Sequence, residues 1–399
     1  MTLLTDARAR AILGLHLCGS FCASLTAPFI PFYIVQELGH PPWKISIYSA
    51  LAILLTVTLN RAFAARLDSG HRFAPLVNAS IAGYMTALIS VLIWPSYWTL
   101  ITVGVLGFSL SGSSLSTMYS FGRISAERYG FDITAFNAWL RAMTSLGWMM
   151  GPALAFFVAG QWGASWTFCF ALGAALIWAV LRWYAMPRDA RAEAADKTPP
   201  DSAYAERALW LAVGACLLFS AAHVLCTSAL PLFYVREAGL PAYAPGLSFS
   251  IKTGTEIVMI LTTPALLRRL APLSVLTLSG GLGLCAFLML SQVTGVTAMV
   301  FGAALEGAYY GLFAGVSMTY VQNFANGRMA RANALYVNSL FIGALVAGPS
   351  VGMIAQFASF QTAILAACLP MVCALIVLAA TNRIRRLAGT GHVKPESSG

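Results

Sequence analysis

The chain has 399 residues, 59% hydrophobic and only 10% charged, with a mean hydropathy of +0.75 and a formal net charge of +10. Soluble domains carry about 25% charged residues, so this composition excludes an ordinary globular enzyme and points into a bilayer. The apolar runs are continuous rather than alternating, which excludes a barrel; where no water is at hand, helices satisfy each backbone amide within one segment.

In chain order, the first predicted span covers 11–33 behind Arg8 and Arg10. It is longer than a signal-peptide core and has no small-residue cleavage site, so it is expected to be retained. Spans at 44–64, 74–94, 98–120, 134–158 and 164–184 complete a first set of six, each close to the about 20 apolar residues a bilayer requires. Residues 187–207 then switch to charge, Ala and Pro with no apolar periodicity, which reads as a linker. Six further spans follow at 208–234, 245–267, 273–293, 297–320, 333–357 and 360–380. The expected fold is an all-α membrane protein of 12 transmembrane helices in two six-helix bundles. Their bounds are 1–186 and 208–382, joined by the linker 187–207 and followed by a tail over 383–399.

The two halves are copies. Residues 31–41 (PFYIVQELGHP) return as 231–241 (PLFYVREAGLP), with Pro31/Pro231, Val35/Val235, Glu37/Glu237, Gly39/Gly239 and Pro41/Pro241 in register. Paired bundles of this kind are how many secondary transporters are built.

Of the 24 lysines and arginines, all but Lys44, Arg236, Arg141 and Lys252 fall in the termini, the linker and the even-numbered loops. The positive-inside rule therefore places both termini and the linker in the cytoplasm, and the localisation expected is a bacterial inner membrane. The same distribution explains the net charge: it faces anionic lipid at the inner leaflet, and no nucleic-acid partner is expected. All eight cysteines lie within spans, without CxxC or metal-ligand spacing, and read as small core residues; no metal or other cofactor is called for. Neither HExxH, GxSxG nor a P-loop occurs, so no enzymatic activity is expected.

A charge in mid-bilayer costs several kcal/mol, so an ionisable residue there is expected to face a cavity and a partner. Arg141 (span 5), His223 (span 7), Lys252 and Glu256 (span 8) and Glu306 (span 10) qualify, whereas His16 sits nearer a span end. Lys252 lies one helical turn from Glu256, and Glu256 can pair either with it or with Arg141. One carboxylate with alternative cations is what a proton-operated switch needs, so Glu256, Arg141, Lys252 and Glu306 are the candidate coupling residues. The competing reading is a static ion pair that fixes helix register. His223 and Glu306 line a substrate cavity or else hydrogen-bond a neighbouring helix. Asn137, Trp139 and Trp148 with Tyr309, Tyr310, Tyr336 and Asn338 offer amides and aromatic faces for a neutral, hydroxyl-rich ligand, or else pack the core. Trp43, Trp94, Tyr97 and Trp98 read as interfacial anchors.

Span 5 also carries Gly147-Trp148-Met149-Met150-Gly151-Pro152, and span 11 repeats its end as Gly348-Pro349. Gly147, Gly151 and Pro152 allow close approach and a bend, expected at the interface between halves. The run resembles the antiporter motif of exporters. Twelve spans, the 6+6 duplication, the linker and a 2–3 loop reading Ala64-Ala65-Arg66-Leu67-Asp68-Ser69-Gly70-His71-Arg72 resemble the major facilitator superfamily. Within it the chain is similar to the bacterial sugar efflux transporters over 98–110 (WTLITVGVLGFSL), 140–156 (LRAMTSLGWMMGPALAF), 253–259 (TGTEIVM) and 311–343 (GLFAGVSMTYVQNFANGRMARANALYVNSLFIG).

That resemblance implies proton-driven export of sugars or sugar-like solutes by alternating access, with protons, the bilayer and a small molecule as partners; a monomer is expected. It places Arg141, Glu256, Gln322 and Asn338 where the family has polar residues, and it makes Asp68 a clasp on helix ends that gates the carrier. Ala64 stands for a usual glycine and Ser69 for a usual basic residue, and span 4 lacks the arginine of many drug antiporters. A siderophore or drug-like amphiphile, exported or imported, is the alternative cargo.

Overall fold

The computed structural model describes residues 5–41, 43–192, 203–241, 244–325 and 327–390. Most of the predicted linker (193–202) and the end of the predicted tail (391–399) lie outside the described residues. Twelve long helices account for nearly all the rest. They are α1 (Ala7–Phe32), α2 (Trp43–Asp68), α3 (Phe73–Ile93), α4 (Tyr97–Tyr129), α5 (Ile133–Trp162), α6 (Ala164–Ala185), α7 (Ala203–Leu232), α8 (Ala244–Leu267), α9 (Pro272–Ser291), α10 (Val296–Gln322), α11 (Met329–Phe357) and α12 (Phe360–Asn382). Eleven are long and apolar enough to cross a bilayer. The exception is α8, whose buried face carries Ser248, Lys252, Thr253, Glu256 and Thr263 while Phe249 and Val258 are exposed. Its polar residues point inward and its apolar ones outward, the reverse of a helix on a soluble protein. An all-α membrane bundle is thus the fold, as expected.

Residues cluster into two units, Met1–Asp196 with Gly327–Asn338, and Lys197–Asn326 with Ser339–Gly399. In the first, α1 packs on α5 and α6, α3 on α4 and α6, and α2 on α4. With lipid as apolar as the side chains, helices associate through close packing, and small residues set the approach. A Cβ on Gly107 would strike the carbonyl of Gly83, and one on Gly19 would meet the fully buried Trp178 ring at 3.0 Å. In the second unit α8 and α9 pack on α10, and α7 on α12. Here Gly307, Gly311 and Gly315 form one stripe along α10; added Cβ atoms would hit the backbone of Lys252, the backbone of Glu256 and the side chain of Thr263.

The duplicated motif has the same backbone in both copies. Pro31 and Pro231 lack the amide an α-helix needs, and a wider π turn follows each, over Tyr33–Glu37 and Phe233–Glu237. Leu38 N bonds Tyr33 O at 3.0 Å as Ala238 N bonds Phe233 O at 2.9 Å, and His40 N bonds Ile34 O at 3.1 Å as Leu240 N bonds Tyr234 O at 2.8 Å. Gly39 and Gly239 both stand at φ 64, a left-handed value that any Cβ would strain.

The copies differ at the acid. The Glu237 carboxylate accepts the amides of Phe360 (2.7 Å) and Gln361 (2.9 Å), capping the start of α12. Glu237→Ala is expected to cost about 1 kcal/mol by removing that cap, with Glu237→Gln intermediate; a thermal melt of the purified variants measures it, and an unchanged midpoint refutes the cap.

Candidate functional site

Four of the predicted ionisable residues come together in the second unit. Lys252 Nζ donates to Glu256 Oε2 at 2.6 Å across one turn of α8, both side chains being buried. The ammonium lies 4.6 Å above the Tyr310 ring of α10, and the His223 imidazole of α7 stacks on that same ring at 3.7 Å. His223 Nδ1 is 3.0 Å from the Tyr309 hydroxyl and 3.7 Å from Glu306 Oε1. Which of Nδ1 and the hydroxyl donates depends on the tautomer. Glu306 is 2% exposed, and its Oε1 has no hydrogen-bond partner among the described residues. Tyr309 is held from behind, since Ser279 Oγ donates to its carbonyl at 2.8 Å.

The glycine stripe makes this geometry rigid. Because Gly307 and Gly311 of α10 lie against the backbone of Lys252 and Glu256, the spacing between the α8 pair and Glu306 is set by main chain. Chemically the cluster is one fixed cation, two carboxylates and an imidazole, so a single proton on His223 or Glu306 neutralises it. Burial makes that neutralisation worth several kcal/mol.

The first unit holds two polar clusters. His16 Nε2 and Tyr119 Oη lie 2.8 and 3.0 Å from Thr144 Oγ1, and the His16 and Tyr119 rings are 5.1 Å apart. Tyr336 adds its ring 6.4 Å from that of Tyr119. On the same helix as Thr144, Asn137 and Arg141 are buried one turn apart. His16, nearer a span end than the other ionisable residues, is fully buried, and nothing local in the sequence marks Tyr119 or Thr144 as its partners. Of the tryptophans on α5, Trp139 is half-buried and Trp148 is 41% exposed.

The second cluster centres on Asn60. Its Nδ2 donates to Asn338 Oδ1 at 2.9 Å and its Oδ1 accepts from Ser116 at 3.0 Å, while Asn338 Nδ2 reaches the Val57 carbonyl at 3.3 Å. Asn333 donates to Ser120 at 3.0 Å, and Asp68 Oδ2 accepts the Arg331 amide at 3.1 Å. A carboxylate at the first turn of α11 is favourable to the helix dipole. Asp68, Ser120, Tyr119 and Asn60 thus each hold a residue of the opening turns of α11, which explains why 327–338 clusters with the first unit. Gln322 is buried at the end of α10.

Gly147 and Gly151 do allow close approach, but to α1 of their own unit: added Cβ atoms would meet Ser20, Phe21 and Ser24, and Ser24 Oγ donates to the Gly147 carbonyl at 2.7 Å. In the second unit Gly343 does the same against Leu217, Ser220 and Ala221, with Ser220 Oγ donating to the Leu340 carbonyl at 2.8 Å. The counterpart in packing is Gly343; Gly348, which repeats the sequence, meets nothing within 4 Å. Pro152 lies inside α5 without ending it. Tyr97, expected as an anchor, is buried, its hydroxyl donating to the Lys44 carbonyl at 3.1 Å with the Lys44 ammonium 4.5 Å over its ring. Trp94 and Trp98 are 68% and 72% exposed, as anchors should be.

The architecture is that of a multi-pass helical membrane protein with charged side chains buried within it. The sequence profile of the Major Facilitator Superfamily matches residues 122–322, and the chain belongs to that family, whose members are transporters rather than enzymes. It is 26% identical over 340 residues to sugar efflux transporter A of Escherichia coli (strain K12), covering 84% of this chain and 86% of that one. Sugar efflux transporter B of Salmonella typhimurium is 23% identical over 379 residues, 94% and 95% of the two chains. In three dimensions the chain is similar to a bacterial homologue of the iron transporter ferroportin in an outward-facing state, with a TM-score of 0.73 at 16% identity, over 94% of this chain and 99% of the other. The likeness to sugar efflux transporters expected from the sequence is borne out.

Proposed function

We propose that the protein is a proton-coupled secondary transporter of the bacterial inner membrane that exports sugars or sugar-like solutes by alternating access. Its six-helix bundles are 1–186 and 208–382, its linker (187–207) and both termini are cytoplasmic, and it works as a monomer. The observation that carries this reading is the buried group of Lys252, Glu256, His223 and Glu306, with a carboxylate oxygen on Glu306 that has no hydrogen-bond partner among the described residues. A buried acceptor of this kind serves a proton or a substrate hydroxyl. Glu256 and Glu306 carry the coupling proton, with Lys252 and Arg141 as the cations whose pairing it switches; Asn137, Arg141, His223, Glu306, Gln322, Tyr336 and Asn338 recognise the solute; Asp68, Gly147, Gly151 and Pro152 serve the gate. The sugar efflux relatives support the cargo class.

Reconstitution in proteoliposomes tests the reading. A panel of labelled mono- and disaccharides should undergo counterflow and should accumulate against their gradient when a pH gradient is imposed, with a protonophore abolishing the accumulation. Sugar flux indifferent to the pH gradient removes the coupling. Counterflow of a hydroxamate or citrate siderophore, or of a cationic dye, with none of any sugar removes the cargo class.

A further inference from the structure

At the α2–α3 end of the first unit, two connecting segments run side by side. Arg72 and Arg191 face each other in an isolated antiparallel bridge, Phe73 N donates to the Ala190 carbonyl at 3.1 Å, and Ala192 N donates to the His71 carbonyl at 3.4 Å. Beside this bridge opens a cavity of about 650 Å³, within the roughly 300–1,000 Å³ range of small-molecule sites. Arg66, Arg72 and Arg191 form its charged side with His71 beside them, and no Asp or Glu lines it among the described residues. The three arginines are exposed, and none is in an ion pair among the described residues. Three like charges brought together by backbone hydrogen bonds, without a counter-charge among the described residues of the lining, call for an anion.

Beyond Ser69 and Gly70, the rest of the wall is apolar and descends the membrane-spanning helix α3 through Pro75, Leu76 and Ala79. The depth is marked by the neighbouring end of α6, where Trp183 and Tyr184 are 64% and 81% exposed and the Arg188 guanidinium lies 4.0 Å over the Trp183 ring. Exposed Trp and Tyr beside arginine are the signature of the headgroup layer. A free phosphate would use the arginines and leave the apolar wall bare. A phospholipid uses both, with its phosphate on planar guanidinium forks and an acyl chain along α3.

We propose that this cavity binds an anionic phospholipid, its phosphate held by Arg66, Arg72 and Arg191 and one chain lying on Pro75, Leu76 and Ala79. In the orientation proposed above it opens to the cytoplasmic leaflet, whose anionic lipids attract basic residues. The site is distant in sequence from every coupling residue, so it stands whether or not sugars are the cargo.

The test uses the full-length protein in neutral detergent with three probes: dioleoyl phosphatidylglycerol, dioleoyl phosphatidylcholine and inorganic phosphate. Phosphatidylglycerol should be retained in native mass spectra and should slow amide exchange over 69–75 and 187–191. Arg66→Gln/Arg72→Gln/Arg191→Gln should weaken its binding on the order of a hundredfold, each arginine near an anionic surface contributing about fivefold. Ala79→Trp, which fills the apolar wall and keeps every charge, should also weaken it. Equal protection by phosphatidylcholine, equal protection by inorganic phosphate, or undiminished retention by the triple variant overturns the proposal. Should the triple variant fail to fold, the exchange data on the unaltered protein decide between the three probes.

Discussion

Glu256→Gln is expected to abolish sugar accumulation driven by a pH gradient while leaving exchange of labelled for unlabelled sugar at equal pH largely intact. Glutamine keeps the volume and one acceptor of the carboxylate that Lys252 Nζ reaches at 2.6 Å, but it cannot gain or lose a proton. The cluster then has Lys252 facing Glu306 and His223 with no second titratable carboxylate, so the cycle no longer needs a proton to turn. The pair also has a stability signature. Removing the cation alone, as in Lys252→Met, strands a buried carboxylate and should cost about 3 kcal/mol or more, whereas Lys252→Met/Glu256→Gln should recover most of that loss. Undiminished gradient-driven accumulation by Glu256→Gln contradicts the coupling role. A double variant as unstable as the sum of the singles contradicts the pairing.

Gly307→Leu should leave little folded protein, and even Gly307→Ala should cost about 3 kcal/mol, the upper end for overpacking, because the added carbon meets main chain. Its Cβ would strike the carbonyl of Lys252, which cannot rotate aside as a side chain would, so α8 must leave α10. With it moves the separation between the Lys252–Glu256 pair and Glu306. Gly254 lies on α8 with nothing within 4 Å of where a Cβ would stand, so Gly254→Ala should be neutral or stabilise by up to about 1 kcal/mol. Thermal melts followed by size-exclusion chromatography separate the two; a Gly307→Ala protein that melts with the unaltered one refutes the backbone contact.

These residues also show what is legible in a membrane sequence. The 200-residue repeat around Pro31 and Pro231 was visible because proline and glycine dictate backbone locally, and the matched π turns and matched Gly39 and Gly239 follow. The Lys252–Glu256 pair was visible because i, i+4 spacing fixes proximity on any helix. His16 with Thr144, 128 residues apart, and Asn60 with Asn338, 278 apart, were not, since only helix packing decides which faces meet. The stripe of Gly307, Gly311 and Gly315 was written in the sequence at a spacing of four, but that spacing is common in lipid, and nothing local says that Lys252 and Glu256 lie against it. Of the twelve expected spans, eleven are helices long and apolar enough to cross a bilayer; α8 falls short because it carries Lys252, Glu256 and their polar neighbours.

The wide turn after Pro31 and Pro231 belongs to the repeated unit. An irregularity wound alike into both copies, down to the hydrogen bonds that close it, is a property of the duplicated segment and not of either half alone. The asymmetries are local: the third π turn, over Leu100–Gly104, has no partner in α10, and of the two repeated acids Glu237 caps a following helix. What the halves hold in common is therefore the kink, and they diverge in what is built around it.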